Sequence, residues 1–404
     1  MRAIKRQFFL SFTVMGSVLP YLSVCLDERG LSMNQIGWVL SLTGVGVIVS
    51  PVLTTLLADT RVQSRTLLAL LLALSGGSLA WLAGAGGFWT LLVVHGLFAL
   101  AFAPVTSLQD GLYFHRRTAL QASGGAAVPA YHVVRVWGTL GFILPSTVLY
   151  FVLRGAVDTS AAVWCAAVCC GAGLLNALSL PRVARDAPAP DAPDEADAGL
   201  PTVAAARALL EPHLLVFCVA TFLLHLAITA YYGFYPVYLT QTVSIAPEWV
   251  GLIANLGVTV EIGFMLGFGW LLRGLGLKRL MLIGALCMAL RFGALGWFPN
   301  IGVAVGSQAL HGIMVLVIHV APPIYLNRRA DDRFRNSIQG LYAMAVFGTG
   351  RIAGNLVAGA IAEAWSLRAV FVYAAALCVA AAGLFAFAFA EANDGGRDVE
   401  PGSA

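Results

Sequence analysis

HGLFALAFAP at 95–104 returns as HGIMVLVIHVAP at 311–322. The residues that follow the first copy repeat as well. LYFHRR at 112–117 is echoed by IYLNRR at 324–329, and VWGT at 136–139 by VFGT at 346–349. All three pairs keep their order and are offset by about 210–218 residues. Each match is weak alone, but together they indicate a duplicated unit. Between the copies lies PRVARDAPAPDAPDEADAGLPTVAA at 181–205, rich in Pro, Ala and Asp and without apolar periodicity. Such a stretch reads as a flexible linker. The chain therefore divides into an N-terminal bundle at 1–180, the linker at 181–205, a C-terminal bundle at 206–390 and a tail at 391–404.

Composition says what each unit is made of. Of 404 residues, 59% are hydrophobic and 11% charged, where soluble domains carry about 25% charged residues. That balance excludes a soluble globular protein, a disordered chain and a nucleic-acid binder with a basic face. Apolar segments recur at about 8–26, 35–57, 66–84, 88–113, 133–153, 160–180, 213–239, 249–271, 281–297, 301–326, 337–361 and 368–390. They are too long for barrel strands and do not alternate. A spanning helix needs about 20 apolar residues, so the sequence predicts an all-α integral membrane protein. Twelve transmembrane helices would lie in two halves of six, related by an axis along the membrane normal.

Charge placement orients the chain. With the N-terminus inside, eighteen of the 24 Lys and Arg residues fall on the cytoplasmic side. Arg29, Arg154 and Arg368 fall outside, and Arg135, Arg291 and Arg351 fall within helices. Both termini are expected in the cytoplasm and the protein in the plasma (inner) membrane. The first helix looks like a signal peptide but lacks a small-x-small cleavage site, so it reads as uncleaved. The seven cysteines lie in apolar runs without a Cys-x-x-Cys pair and read as packing residues.

An ionisable group at mid-bilayer costs a few kcal/mol or more and is a functional candidate by default. Glu261, Arg291, His311 and Arg351 share one depth in the second half, too far from an interface to snorkel. A joint functional site is expected there, against independent structural ion pairs. Asp110 and Arg135 lie shallower, joined by an Arg116–Arg117 loop. They suit either a substrate or proton site or a cytoplasmic closing pair. His95, His225 and His319 read as hydrogen-bonded packing residues. His319 sits about 80° around the helix from His311. Tyr231, Tyr232 and Tyr235 could line an aromatic pocket or only pack. Pro104 and Pro236 suggest kinks. No nucleophile, metal or phosphate-loop constellation supports an enzyme, and no cofactor beyond a coupling proton is expected.

DGLYFHRR, YHVVRVWGTLGF, AYYGFYPVYL, Glu261, Arg291 and the LHG at 310–312 together resemble the major facilitator proton symporters of the lactose permease and 3-phenylpropionate transporter group. LADTRVQSR at 57–65 and LLRGLGLKR at 271–279 resemble that superfamily's signature loop in degenerate form, with Asp59 and Arg61 at its acidic and basic positions. The resemblance implies that Arg135 and Asp110 bind substrate, as does Arg291, and that Glu261 and His311 serve substrate binding and proton coupling. Three departures separate the chain from lactose permease. Met314 stands where that protein carries its proton-bearing glutamate. Phe142 replaces a sugar-stacking tryptophan. Helix 7 carries tyrosines instead of acids, which leaves Arg351 without its usual partner. These departures follow the phenylpropionate pattern.

Charge counting agrees. If Asp110 pairs with Arg135 and Glu261 with Arg291, Arg351 remains alone, and an unpaired buried cation is costly. A substrate carboxylate would satisfy it, with Tyr231, Tyr232 and Phe142 holding an aromatic ring. The expected function is proton-coupled symport of a small aromatic carboxylate such as 3-phenylpropionate by alternating access. The expected partners are a small-molecule substrate, a proton and the lipid bilayer, with no nucleic acid, and the protein is expected as a monomer. The alternatives are a sugar or nucleoside symporter, a drug or metabolite exporter, or a sensory or assembly protein on a transporter scaffold.

Overall fold

The computed structural model describes residues 1–58, 63–122, 129–180, 201–329 and 335–389. Asp59 and Arg61, the linker at 181–200 and the tail at 391–404 lie outside the described residues. Eleven helices among the described residues are long and apolar enough to cross a membrane. The longest, Pro247–Trp297, turns at Gly276, whose φ of 72° favours glycine, so it makes two crossings. We number the twelve crossings in chain order. The first six are α1 (Arg2–Glu28), α2 (Met33–Ala58), α3 (Ser64–Gly84), α4 (Phe88–Gln121), α5 (Tyr131–Leu153) and α6 (Ser160–Leu178). The second six are α7 (Pro212–Thr242), α8 (247–275), α9 (277–297), α10 (Ile301–Arg329), α11 (Ser337–Ala364) and α12 (Leu367–Ala388).

Prolines act where the sequence suggests. Pro104 sits in a break after Phe102, because its ring lacks a donor and crowds the preceding turn. Pro236 lies inside α7, and the helix loosens into a π-helical turn at Tyr238–Thr242 just beyond it. Two expectations need correction. Arg116 and Arg117 are not in a loop: α4 runs on to Gln121, carrying its charged end clear of the apolar segment. The end of the expected linker is helical, Pro201–Leu209, since VAAARAL is built largely from strong helix formers. That short helix packs on Arg335–Tyr342.

The duplication is visible in the packing. In the first half α1 packs on α5 and α6, α3 on α6, and α2 on α4. In the second half α7 packs on α11 and α12, α9 on α12, and α8 on α10. Each contact recurs six helices later. The halves meet through α2 with α11 and through α5 with α8, again a related pair.

These contacts concentrate toward the face opposite the termini, called here the distal face. Gly37 of α2 lies so close to α11 that an added Cβ would stand 2.6 Å from the Asn355 carbonyl oxygen and 3.0 Å from Gly359 Cα. Such small-residue contacts let membrane helices approach closely. The Asn255 amide donates to the Ile143 carbonyl at 2.9 Å. Tyr150 and Trp249 meet edge to face at 4.9 Å. Gln241 donates to Asp27 at 2.7 Å. Within the first half, Arg29 caps the end of α3 by donating to the carbonyls of Leu82, Ala83 and Ala85, a favourable place for a cation. Toward the termini, the segments 105–122, 321–329 and 335–342 pack chiefly on helices of their own half. Among the described residues, then, the halves meet at the distal face and part toward the termini.

Candidate functional site

Arg291 of α9 is the centre of the polar cluster in the second half. It is 1% exposed, among the largest fully buried side chains. Its Nη2 donates to the Tyr231 hydroxyl at 2.6 Å and to Gln308 Oε1 at 2.9 Å, and its Nη1 lies 3.1 Å from His311 Nδ1. The guanidinium carbon also stands 4.4 Å over the Tyr231 ring, a cation–π contact. Gln308 in turn donates to the hydroxyls of Tyr231 at 3.2 Å and Tyr235 at 2.9 Å. Tyr235 passes the chain on to the Ala304 carbonyl at 2.8 Å.

This arrangement fixes the state of His311. Guanidinium has only donors, so His311 Nδ1 must accept and its single proton must sit on Nε2. That Nε2 points at Glu261 Oε2, 3.9 Å away. Glu261 is the more accessible of the two, its side chain 24% exposed against 6% for His311. The expected Glu261–Arg291 ion pair is absent. His311 stands between the two groups, and the cation whose charge acts on Glu261 is Arg135 of α5. A buried arginine whose two Nη atoms are held by neutral groups leaves the acid available.

In the first half, Asp110 and Arg135 do not meet at ion-pair distance either. Tyr131 intervenes, its hydroxyl donating to Asp110 Oδ1 at 2.9 Å. The Arg135 guanidinium lies 3.9 Å over the Phe12 ring of α1. Gly138, one turn on, leaves it room: a Cβ there would stand 2.7 Å from Arg135 Nη1.

Arg351 of α11 is partly exposed, and among the described residues no hydrogen bond or ion pair reaches its guanidinium. Tyr232 is 44% exposed and feels the charges of both Arg351 and Glu261. Its ring packs on Tyr231 at 5.3 Å and His311 at 6.0 Å. Phe142 is not part of this aromatic group. Its backbone lies against Gly16 of α1, and among the described residues no ring contact joins it to the tyrosines. The polar groups of the site thus come from α5, α7, α8, α9, α10 and α11, with Arg291 the most deeply buried of them.

Sequence reasoning missed Gln308, Tyr131 and Phe12. Gln308 carried a signal, being polar, in an apolar run and three residues before His311, hence on its face. Tyr131 and Phe12 carried none, because aromatic residues in spanning helices are ordinary packing. Two of the three histidines assigned to hydrogen-bonded packing behave otherwise. His95 and His225 are buried, and neither ring nitrogen of either makes a well-formed hydrogen bond.

Two pseudo-symmetric six-helix halves, closed at one face over polar groups at mid-depth, define a secondary transporter of the major facilitator architecture. The chain belongs to the MFS_1 like family, whose family model matches residues 1–373. It is 26% identical over 372 residues to the putative nucleoside transporter YegT of Escherichia coli, covering 88% of this chain and 83% of that one. It is 28% identical over 386 residues to the maltose permease of Geobacillus stearothermophilus, covering 91% of this chain and 89% of that one. It is 29% identical over 353 residues to the probable 3-phenylpropionic acid transporter of Escherichia coli, covering 84% of this chain and 86% of that one. The crystal structure of the nucleoside transporter NupG superposes with a TM-score of 0.81 at 21% identity, covering 95% of this chain and 97% of that one. That likeness is one of fold.

Proposed function

We propose that this protein is a proton-coupled symporter of a small aromatic carboxylate, working by alternating access from a plasma membrane with both termini in the cytoplasm. The observation that carries the reading is Arg351, a partly exposed guanidinium without a hydrogen bond or ion pair among the described residues. Three arginines at the membrane-embedded site face two acids, and among the described residues none of the three makes an ion pair. A site with that surplus of positive charge is suited to an anion, and a guanidinium offers a carboxylate a two-pronged fork. Tyr232, half exposed beside it, offers a ring face to an aromatic body.

Glu261 is the coupling group in this reading. It lies between Arg135 of one half and His311 of the other, so the rocking of the halves changes its surroundings. His311, held neutral by Arg291, presents Nε2–H to the carboxylate and steadies its charged form when the 3.9 Å gap closes. Protonation of Glu261 releases that hold and pairs proton movement with the change of state. The parted termini face would make the structure cytoplasm-open.

Right-side-out vesicles with an imposed pH gradient test the reading. Labelled 3-phenylpropionate should accumulate faster than in vesicles lacking the protein. Arg351→Gln should weaken carboxylate affinity at least about tenfold, the effect of losing one charge-assisted hydrogen bond; unchanged affinity removes Arg351 from the site. A second reading, a nucleoside symporter, draws on the YegT likeness and on the free carboxylate of Glu261, which can accept ribose hydroxyls. It is favoured if a labelled nucleoside accumulates and the aromatic acid does not.

A further inference from the structure

Next to Arg351 in the packing of α7 on α11, a pair of histidines stands outside the hydrogen-bonded cluster just described. His225 of α7 and His319 of α10 face each other edge to face with ring centroids 6.3 Å apart. Phe347 of α11 closes the group, stacked on His225 at 4.8 Å and edge-on to His319 at 5.7 Å. His225 is 2% exposed, and neither of its ring nitrogens makes a well-formed hydrogen bond. The Phe347 backbone is the polar group within its reach. His319 is partly exposed, as is Arg351.

Three features show a built site and not chance packing. First, an imidazole always carries at least one N–H, and burying it and its lone pair unpaired costs about 1–3 kcal/mol each. Second, helices α10 and α11 both widen into π turns here, at Leu316–Val320 and Ala343–Gly348. These turns carry His319 and Phe347, and such bulges gather at functional sites. Third, α11 is pressed onto α7 at this level: a Cβ on Gly350 would stand 2.8 Å from His225 Cδ2. The close approach sets His225 beside the residue that precedes Arg351.

The charges around the pair are one-sided. Arg351 acts on both rings. His311 on α10 is within electrostatic reach of His319, and Tyr232 on α7 of Arg351. Among the described residues no carboxylate acts on the pair. A proton on either ring is a second positive charge beside Arg351, and that repulsion disappears when an anion occupies the guanidinium.

We propose that the His225–His319 pair is a proton site beside Arg351, taking up a proton when a substrate carboxylate binds that arginine. The inference rests on the carboxylate reading above. It ties anion and proton together by charge neutralisation, independently of Glu261. Binding one then favours the other, and by linkage the effect is reciprocal.

The test uses the full chain in detergent with Glu261→Gln, which removes the other titrating acid. 3-Phenylpropionate is added in weakly buffered solution near pH 7, with bound ligand and proton uptake measured together. Protons should be taken up as the carboxylate binds, rising toward about one per carboxylate as the starting pH is lowered from 7 toward 6. Adding His225→Gln and His319→Gln should abolish the uptake while the carboxylate still binds. Binding without proton uptake in the Glu261→Gln protein overturns the pair's role and leaves the carboxylate reading standing. Uptake unaffected by the histidine changes does the same. No carboxylate binding at all overturns both. If the histidine variants fail to fold, the Glu261→Gln protein labelled with 15N-histidine decides the matter. Adding the anion must turn imidazole signals from neutral to cationic, and their staying neutral overturns the proposal.

Discussion

Each half places an arginine among its membrane-spanning helices, Arg135 in the first and Arg291 in the second, and the two are treated differently. Arg291 is sealed in, held by Tyr231, Gln308 and His311 with no acid among its partners. Arg135 lies open on the face of Phe12, one tyrosine away from Asp110. A caged arginine is a fixed charge that dictates the state of its neighbours. An arginine resting on an aromatic ring can change partners at small cost, because a cation–π contact contributes about 0.5–1 kcal/mol at exposed sites. The difference assigns architecture to the second half and adjustment to the first, with Glu261 between them.

Breaking the cage should have the largest effect. Arg291→Ala leaves three polar partners buried and opens a void, and should lower stability by about 2–5 kcal/mol. Thermal unfolding in detergent reads this, and transport should be lost with it. A variant as stable as the native protein would mean the cage holds nothing. Glu261→Gln comes next. Gradient-driven accumulation should fall to the share that the His225–His319 pair still couples, while counterflow of labelled substrate stays within a few-fold. Undiminished accumulation would move coupling away from the acid between the halves.

The closure that makes the comparison possible is itself breakable. Gly37→Val places methyl groups where the Asn355 carbonyl oxygen already stands. The distal face should be forced apart, raising thiol-reagent labelling of a cysteine placed at Ser41 severalfold. On the first-half side, Tyr131→Phe removes one hydrogen bond to Asp110. A loss of about 1 kcal/mol corresponds to roughly fivefold weaker substrate affinity. The smallest change expected is Phe12→Leu, about two- to fivefold in affinity from the lost ring under Arg135. If Phe12→Leu proves more damaging than Arg291→Ala, the roles of the halves are reversed.

Most of the fold is legible in the chain, and for one reason. A spanning helix must be apolar over a length set by the bilayer, so its signal is local. The observed helices begin and end close to the apolar segments, and the merged Pro247–Trp297 helix still turns at a glycine. The site is legible only in its membership of rare charges. Glu261, Arg291, His311 and Arg351 stand out because ionisable groups are scarce in such helices. Their pairing is not legible. Charge counting places Arg291 on Glu261, yet it binds His311, Tyr231 and Gln308 instead. The same reading puts Phe142 in the aromatic group, yet it lies against α1. Pairing depends on helix rotation and on the 3₁₀ and π turns within α10, which change the angular position of every later residue.

The sequence by itself determined twelve crossings, a doubled unit and the few charges that enter the membrane. Those follow from the cost of an unpaired polar group in lipid, which acts residue by residue. Only the tertiary structure decided which face is shut, that Arg291 is caged by neutral groups, that His311 keeps its proton on Nε2, and that His225 meets His319 beside Arg351. Each of these depends on side chains from helices far apart in sequence meeting within a few ångströms, and no local pattern encodes that meeting.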